Sequence, residues 1–270
     1  SWASDYYQHP LGECLFTALP PALRRGRPSQ QKQDEHWQGT QNIAPLPANA
    51  HRQKALLESI QRAPGISTGE LVKAGFNRPQ IKSLRDKGLI ELSDPQHPTS
   101  SESIVTVDGP RLSPAQLAAA KELPQVTDRF SATLLYGITG SGKTELYLHY
   151  LTQKLQDDQQ ALVLVPEINL TPQTLERFRR YFGNRIVAWH SALNDSERLA
   201  TWLRIRHGEP VILIGTRSAV LLPFTNLRAI VVDEEHDNSY KQGEGFRYSG
   251  RDVAVYRAHL NQCPVVLGSA

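Results

Sequence analysis

The sequence contains no methionine and only two cysteines in 270 residues. Cys14 and Cys263 stand in unrelated contexts with no cysteine or histidine at ligand spacing, so neither a disulfide framework nor a zinc site is indicated, and a reducing compartment fits. Long apolar runs are also missing. The longest, such as residues 161–166 and 211–214, fall far short of the roughly 18 consecutive residues that a membrane span requires. Nor does charge of one sign accumulate: 30 Lys+Arg against 27 Asp+Glu leave +3. No global positive field therefore marks the chain for nucleic acid, and any such surface must be local. The start pairs no basic flank with the apolar stretch of a secretory signal, so cytoplasmic residence without a membrane partner is the expectation.

What is present argues for packed structure. Hydrophobic residues make up 39% of the chain, and at roughly 100–200 residues per domain its length predicts about two domains. The missing methionine and a final stretch, residues 265–270, that reads as a buried strand entering a turn give the expectation of a segment of a longer chain. Residues 1–25 hold scattered apolar positions (Trp2, Tyr6, Tyr7, Leu11, Leu15, Phe16) and read as the tail of a preceding domain. Residues 26–49, rich in Gln, Arg, Pro and Gly, have linker composition.

From residue 50 to 108 a small domain is predicted. Ala55, Leu56 and Ile60 share a helical face, Ser67 and Glu70 fit a capping box opening a second helix over 68–74, and a third runs over 77–87 with Gly88 past its end. Helix, tight turn, helix is the helix-turn-helix outline, and residues 89–92 and 103–107 fit the hairpin of its winged variant. On the third helix Ile81 and Leu84 face inward, leaving Arg78, Gln80, Lys82, Arg85 and Lys87 for solvent or for phosphates. A packing or protein-docking module fits the same pattern. Over 109–270, apolar runs at 133–136, 161–165, 186–190, 211–214, 229–232 and 265–267 alternate with helix-like stretches, which predicts a parallel sheet covered on both faces.

Gly137-Ile138-Thr139-Gly140-Ser141-Gly142-Lys143-Thr144 matches G-x-x-x-x-G-K-[ST], follows a predicted strand and opens a helical stretch. Backbone amides of such a loop curl around phosphates, Lys143 adds a point charge, and Thr144 offers a hydroxyl to Mg2+, so ATP with magnesium is the implied ligand. The run Ile230-Val231-Val232-Asp233-Glu234 supplies the second requirement, Asp233 as the metal-side acid and Glu234 as the group that orients or deprotonates the attacking water. An acid run at a strand end can also be a solvated turn. Pairing with the phosphate loop favours chemistry.

Asp233-Glu234-Glu235-His236 resembles the DEAH-type second motif of superfamily 2 helicases, and neighbouring residues narrow the resemblance to the primosomal replication-restart helicase family. Residues 112–116, 165–173, 190–198 and 215–219 resemble successive helicase blocks, and Gly268-Ser269-Ala270 the start of the third motif. The resemblance implies that Gln116 reads adenine, that Thr171, Gln173, Thr216, Arg217 and Ser218 contact a DNA strand, and that His236 links the ATP site toward the third motif. From the residues alone, Thr171 can be a helix cap before Pro172, and Arg217 a structural ion pair. The stretch 239–252 carries Tyr240, Lys241, Phe246, Arg247 and Tyr248 among glycines, a composition that suits stacking on unpaired bases and equally a set of core aromatics. In the family it resembles the loop that couples DNA engagement to hydrolysis.

The expectation is an α/β fold, a RecA-like P-loop parallel sheet preceded by a small winged-helix domain. Family resemblance implies an ATP-dependent 3′–5′ DNA helicase that acts at stalled or repaired forks in primosome assembly. Forked and single-stranded DNA, replication-restart proteins and single-stranded DNA-binding protein are its implied partners, and Zn2+ is implied only for a part beyond these residues. A duplex translocase and a non-catalytic nucleotide-switched adaptor are the alternatives.

Overall fold

The computed structural model describes residues 2–26, 35–40, 47, 50–93, 110–124 and 129–270. The chain divides into two compact units, Gln30–Ser103 and a larger one joining Ser1–Ser29 to Ile104–Ala270. Three short helices open the larger unit: α1 (Trp2–Tyr6), α2 (Leu11–Ala18) and α3 (Pro21–Arg24). They are fastened to the rest of it. Trp2 stacks on Tyr256 with ring centroids 3.7 Å apart, and the Trp202 indole N–H donates to the Ala18 carbonyl (3.2 Å). Residues 1–25, expected as the tail of another domain, thus pack on the domain predicted for 109–270.

The smaller unit contains β1 (His36–Gly39), α4 (His51–Arg62), β2 (Ile66–Ser67), α5 (Thr68–Lys73), α6 (Arg78–Asp86) and β3 (Ile90–Leu92). The predicted capping box is present: Glu70 N–H donates to Ser67 Oγ (3.1 Å) and Ser67 N–H to the Glu70 carboxylate (2.9 Å). Asn77 and Gln80 form a second box at the start of α6. Ile81 and Leu84 join Leu56, Ile60 and Leu71 in the core. Part of the stretch read as linker is structural, however. β1 is the central strand of an antiparallel sheet ordered β2-β1-β3, and Trp37 is almost wholly buried, its indole N–H donating to Thr68 Oγ1 (2.8 Å). One large aromatic supplies enough apolar area to anchor a strand that average composition calls unstructured. The first strand predicted for the hairpin, residues 89–92, corresponds to β3, which pairs with β1, while the second, residues 103–107, lies outside the described residues.

The larger unit continues with α7 (Pro114–Glu122), β4 (Ser131–Tyr136), α8 (Lys143–Lys154), β5 (Gln160–Leu164), α9 (Pro172–Phe182), β6 (Ile186–Trp189), α10 (Asp195–Arg206), β7 (Ile212–Gly215), β8 (Leu227–Val232), α11 (Gly250–Leu260) and β9 (Pro264–Ser269). All six predicted apolar runs form strands of one parallel sheet, ordered β4-β9-β8-β5-β7-β6. Both faces are covered. α8 and α9 bury Tyr147, Leu148, Leu151 and Phe178 on one, and α10 and α11 bury Trp202, Leu203, Ala254 and Ala258 on the other. This is the RecA-like α/β arrangement. Register places Tyr136 beside Ser269 and Val232 beside both Leu164 and Leu267, so the loops after β4, β5 and β8 emerge together with the end of β9 at the carboxyl edge, where open parallel sheets bind ligands.

Candidate nucleotide site and the loop beside it

Between β4 and α8, Gly140 (φ 83°) and Gly142 (φ 84°) take left-handed backbone conformations that other residues adopt only with strain. Gly142 is the N-cap of α8, so the Lys143 and Thr144 amides that follow it have no intrahelical acceptor, while Glu145 N–H donates to the Gly142 carbonyl (3.0 Å), and the helix dipole is positive there. Lys143 is buried, its ammonium donating to the Gly137 carbonyl (2.8 Å) and pairing with Glu234 Oε1 (3.1 Å).

Asp233 and Glu234 follow β8. The Asp233 amide donates to the Leu164 carbonyl (2.8 Å), which holds this corner against β5. Burial, with a smaller push from Glu234, holds the Asp233 carboxyl above its ordinary value, although hydrogen bonding from Tyr147 and the charge of Lys143 pull the other way. Glu234 has a positive φ of 44°, a strain of about 1 kcal/mol for a residue with a side chain. Strain of this kind clusters at functional sites. A cavity of about 440 Å³ is lined by Gly140, Gly142, Lys143, Thr144, Asp233 and Glu234, among others. The donors fit a magnesium nucleotide: amides and an ammonium for phosphate oxygens, and a hydroxyl with a carboxylate, hard oxygen ligands, for the ion. Ser141, Ile138 and Thr139 complete the loop, Ile138 standing out at 75% exposure.

Gln116 reaches this loop from α7. Its amide donates to the Ser141 carbonyl (3.1 Å) while its Oε1 accepts from Ser113 N–H (2.8 Å). It is therefore tied both to the helix cap and to the phosphate loop. Thr171 caps α9, its hydroxyl accepting from Thr174 N–H (3.2 Å), and it lines the same cavity. Gln173 is exposed. The ion pair between Arg177 and Glu145, also at this cavity, carried no motif signal in the sequence.

A second group assembles around residues 216–218 and 239–252. Arg217 donates from Nη1 to the carbonyls of Ser239 (3.0 Å) and Lys241 (2.7 Å), and Ser218 Oγ accepts from the Trp189 indole (3.0 Å). Thr216 precedes them, half-buried. The aromatics of this loop are core: Tyr240, Phe246 and Tyr248 are 1%, 4% and 4% exposed. Phe246 and Tyr248 stack at 5.0 Å, and burial pushes the Tyr248 hydroxyl up to about 12. In this structure the rings take the core alternative, since alternation within the loop turns the aromatics inward and leaves Lys241 and Arg247 exposed. His236 Nδ1 lies 3.3 Å from Ser269 Oγ, which joins the second motif to the strand of the third.

Tyr147 carried no motif signal in the sequence, and Tyr240, expected at the DNA strand, also reaches the acid. The Tyr147 hydroxyl donates to Asp233 Oδ1 (3.0 Å), and that of Tyr240 to the Asp233 carbonyl (2.6 Å). Tyr147 lies four residues after Lys143 on the buried face of α8, and a buried tyrosine needs a polar partner. That was the available signal.

A phosphate loop facing paired acids at the edge of a parallel sheet defines a P-loop nucleotide-binding lobe. The profile of the DEAD/DEAH box helicases matches residues 113–270, and the chain belongs to that family. Within it, the chain is similar along its whole length to the Replication restart protein PriA of Haemophilus influenzae, 40% identical over 281 residues, 100% of this chain and 38% of that protein. The PriA protein of Bacillus subtilis is 38% identical over 234 residues, 83% of this chain and 29% of that one. The chain thus spans well under half the length of these relatives. A crystal structure of the Pyrococcus furiosus Hef helicase domain aligns with 60% of this chain and 32% of its own at 21% identity and a TM-score of 0.42.

Proposed function

We propose that the parent protein is an ATP-dependent DNA helicase of replication restart, moving 3′ to 5′ on forked and single-stranded DNA, with this chain supplying the ATP-binding lobe and a DNA-engaging module. The observation that carries this reading is the meeting of Lys143 with Glu234 in a cavity that Asp233 and Thr144 also line. The amides following Gly142 and the Lys143 ammonium hold phosphate oxygens, and Gln116 serves the base. Thr144 and Asp233 would hold magnesium, which would offset charge on the phosphate oxygens. Glu234 orients the attacking water and takes its proton.

Gln173, Thr216, Arg217 and Ser218, with Lys241 and Arg247 on the adjoining loop, serve the strand, mainly through its phosphates. The exposed cations of α6, Arg78, Lys82 and Arg85, fit contact with a duplex arm. Replication-restart proteins and single-stranded DNA-binding protein are the partners this role requires. No helix among the described residues is long and apolar enough to cross a membrane.

The test is phosphate release by the full-length protein with and without forked DNA, with Glu234→Gln as control. DNA-stimulated release that this substitution abolishes supports the helicase reading. Nucleotide binding without turnover would replace it by a nucleotide-switched adaptor. Turnover without strand displacement on a fork would indicate a duplex translocase.

A further inference from the structure

We infer that Tyr147 is a positioning residue for the metal-side acid, and that Gly268 provides the space it needs. This inference rests on the magnesium nucleotide reading above. Tyr147 is 2% exposed and packs in the layer that α8 forms over the sheet with Leu148, Leu151, Val163 and Val231. Phenylalanine would fill the same volume without the cost of burying a hydroxyl. The hydroxyl instead occupies Asp233 Oδ1 at 3.0 Å. With Oδ1 committed to a neutral donor, the carboxylate keeps one orientation and the task at the ion falls to its other oxygen.

The glycine in β9 supports the same reading. Gly268 lies inside a paired strand, where glycine has lower strand propensity than residues with side chains, and its backbone is not among the positive-φ positions that call for one. A Cβ at this position would collide with the Tyr147 hydroxyl, approach its ring carbon Cζ to 3.0 Å, and stand 3.5 Å from Asp233 Oδ1. The space a side chain would take is therefore filled by the phenol at its contact with the acid. β9 is also bound to the turn after Asp233, since Glu235 N–H donates to the Gly268 carbonyl (2.7 Å). α8, the acid and β9 thus meet around the Tyr147–Asp233 hydrogen bond.

The experiment is titration of the full chain with ADP, with and without Mg2+, for the unaltered protein, Tyr147→Phe, Gly268→Ala and the double substitution. In the unaltered protein Mg2+ tightens ADP binding. Tyr147→Phe is expected to leave metal-free affinity unchanged and to cut that tightening by about tenfold, the scale on which groups orienting a ligand alter metal affinity. Gly268→Ala is expected to do the same, and the double substitution to be no worse than either single one, since both remove one hydrogen bond. Full magnesium tightening in Tyr147→Phe, or defects that multiply in the double variant, would overturn the inference. If Gly268→Ala does not fold, Tyr147→Phe decides alone. A lack of any magnesium effect in the unaltered protein would instead bring down the nucleotide reading itself, and this inference with it.

Discussion

Lys143 and Glu234 form an ion pair, 3.1 Å apart, with only 7% and 18% of their side chains exposed. The lysine that should meet phosphate is thereby held by the carboxylate that should manage water, so nucleotide must compete for it. Lys143→Ala leaves Glu234 without its counter-charge and is expected to lower stability by about 2 kcal/mol, less than the roughly 3–5 kcal/mol for a fully dry pair. Adding Glu234→Gln should restore most of that loss in thermal unfolding. On its own, Glu234→Gln should bind ATP at least as tightly as the unaltered protein while hydrolysis by the full-length protein falls at least about a hundredfold. Unchanged hydrolysis would remove Glu234 from the reaction.

Asp233 carries a cost that the proposed magnesium role explains. Its carboxyl is held above the ordinary value of 3.8, first by burial. An acid raised on folding binds its proton more tightly in the native state; stability is complete below the unfolded value and declines as pH rises through the folded one. At neutral pH the carboxylate is therefore a net expense. Asp233→Asn keeps an oxygen able to accept from Tyr147 and should raise the thermal unfolding midpoint at neutral pH, with the gain vanishing below about pH 4, where the acid is neutral in both states. The same substitution should abolish magnesium-dependent nucleotide binding. A lower midpoint at neutral pH would show that Lys143 and Tyr147 outweigh desolvation.

Periodicity and spacing made much of this legible: six apolar runs became the six strands, and the glycine-lysine-threonine corner and the acid pair met as their motifs require. Trp37 was hidden because a single buried ring inside a polar stretch barely changes local composition. The aromatics at 240, 246 and 248 left two readings open because ring content is the same for a stacking surface and a core; only three-dimensional packing shows which face is covered. Tyr147 was invisible as a functional residue since its partner lies 86 positions away.

The amino-terminal segment restrains the loop after the acid pair. Ser249 N–H donates to the Tyr7 hydroxyl (3.2 Å), the Tyr7 ring meets Phe246 edge-on at 5.9 Å, and His9 lies 5.4 Å from the same ring. With an aromatic pair contributing about 0.5–1.5 kcal/mol beyond its buried area, Trp2→Ala with Tyr7→Ala should speed tryptic cleavage after Arg247 by about tenfold through local opening. Cleavage at the unaltered rate would show that the loop holds its shape unaided.

DNA binding by this loop should be electrostatic before it is aromatic. Lys241 and Arg247 are exposed, whereas Phe246 is 4% exposed and packed between Tyr7 and Tyr248. Replacing either cation with alanine should weaken single-strand binding without regard to sequence and lower the slope of log affinity against log salt by about 0.7 for each phosphate no longer neutralised. Phe246→Leu should leave that slope unchanged and affinity within about twofold, since a ring inside the core has no base to stack on; a stacked ring would cost about 1–3 kcal/mol. A loss of that size for Phe246→Leu, with folding intact, would mean that the aromatics leave the core when a strand arrives.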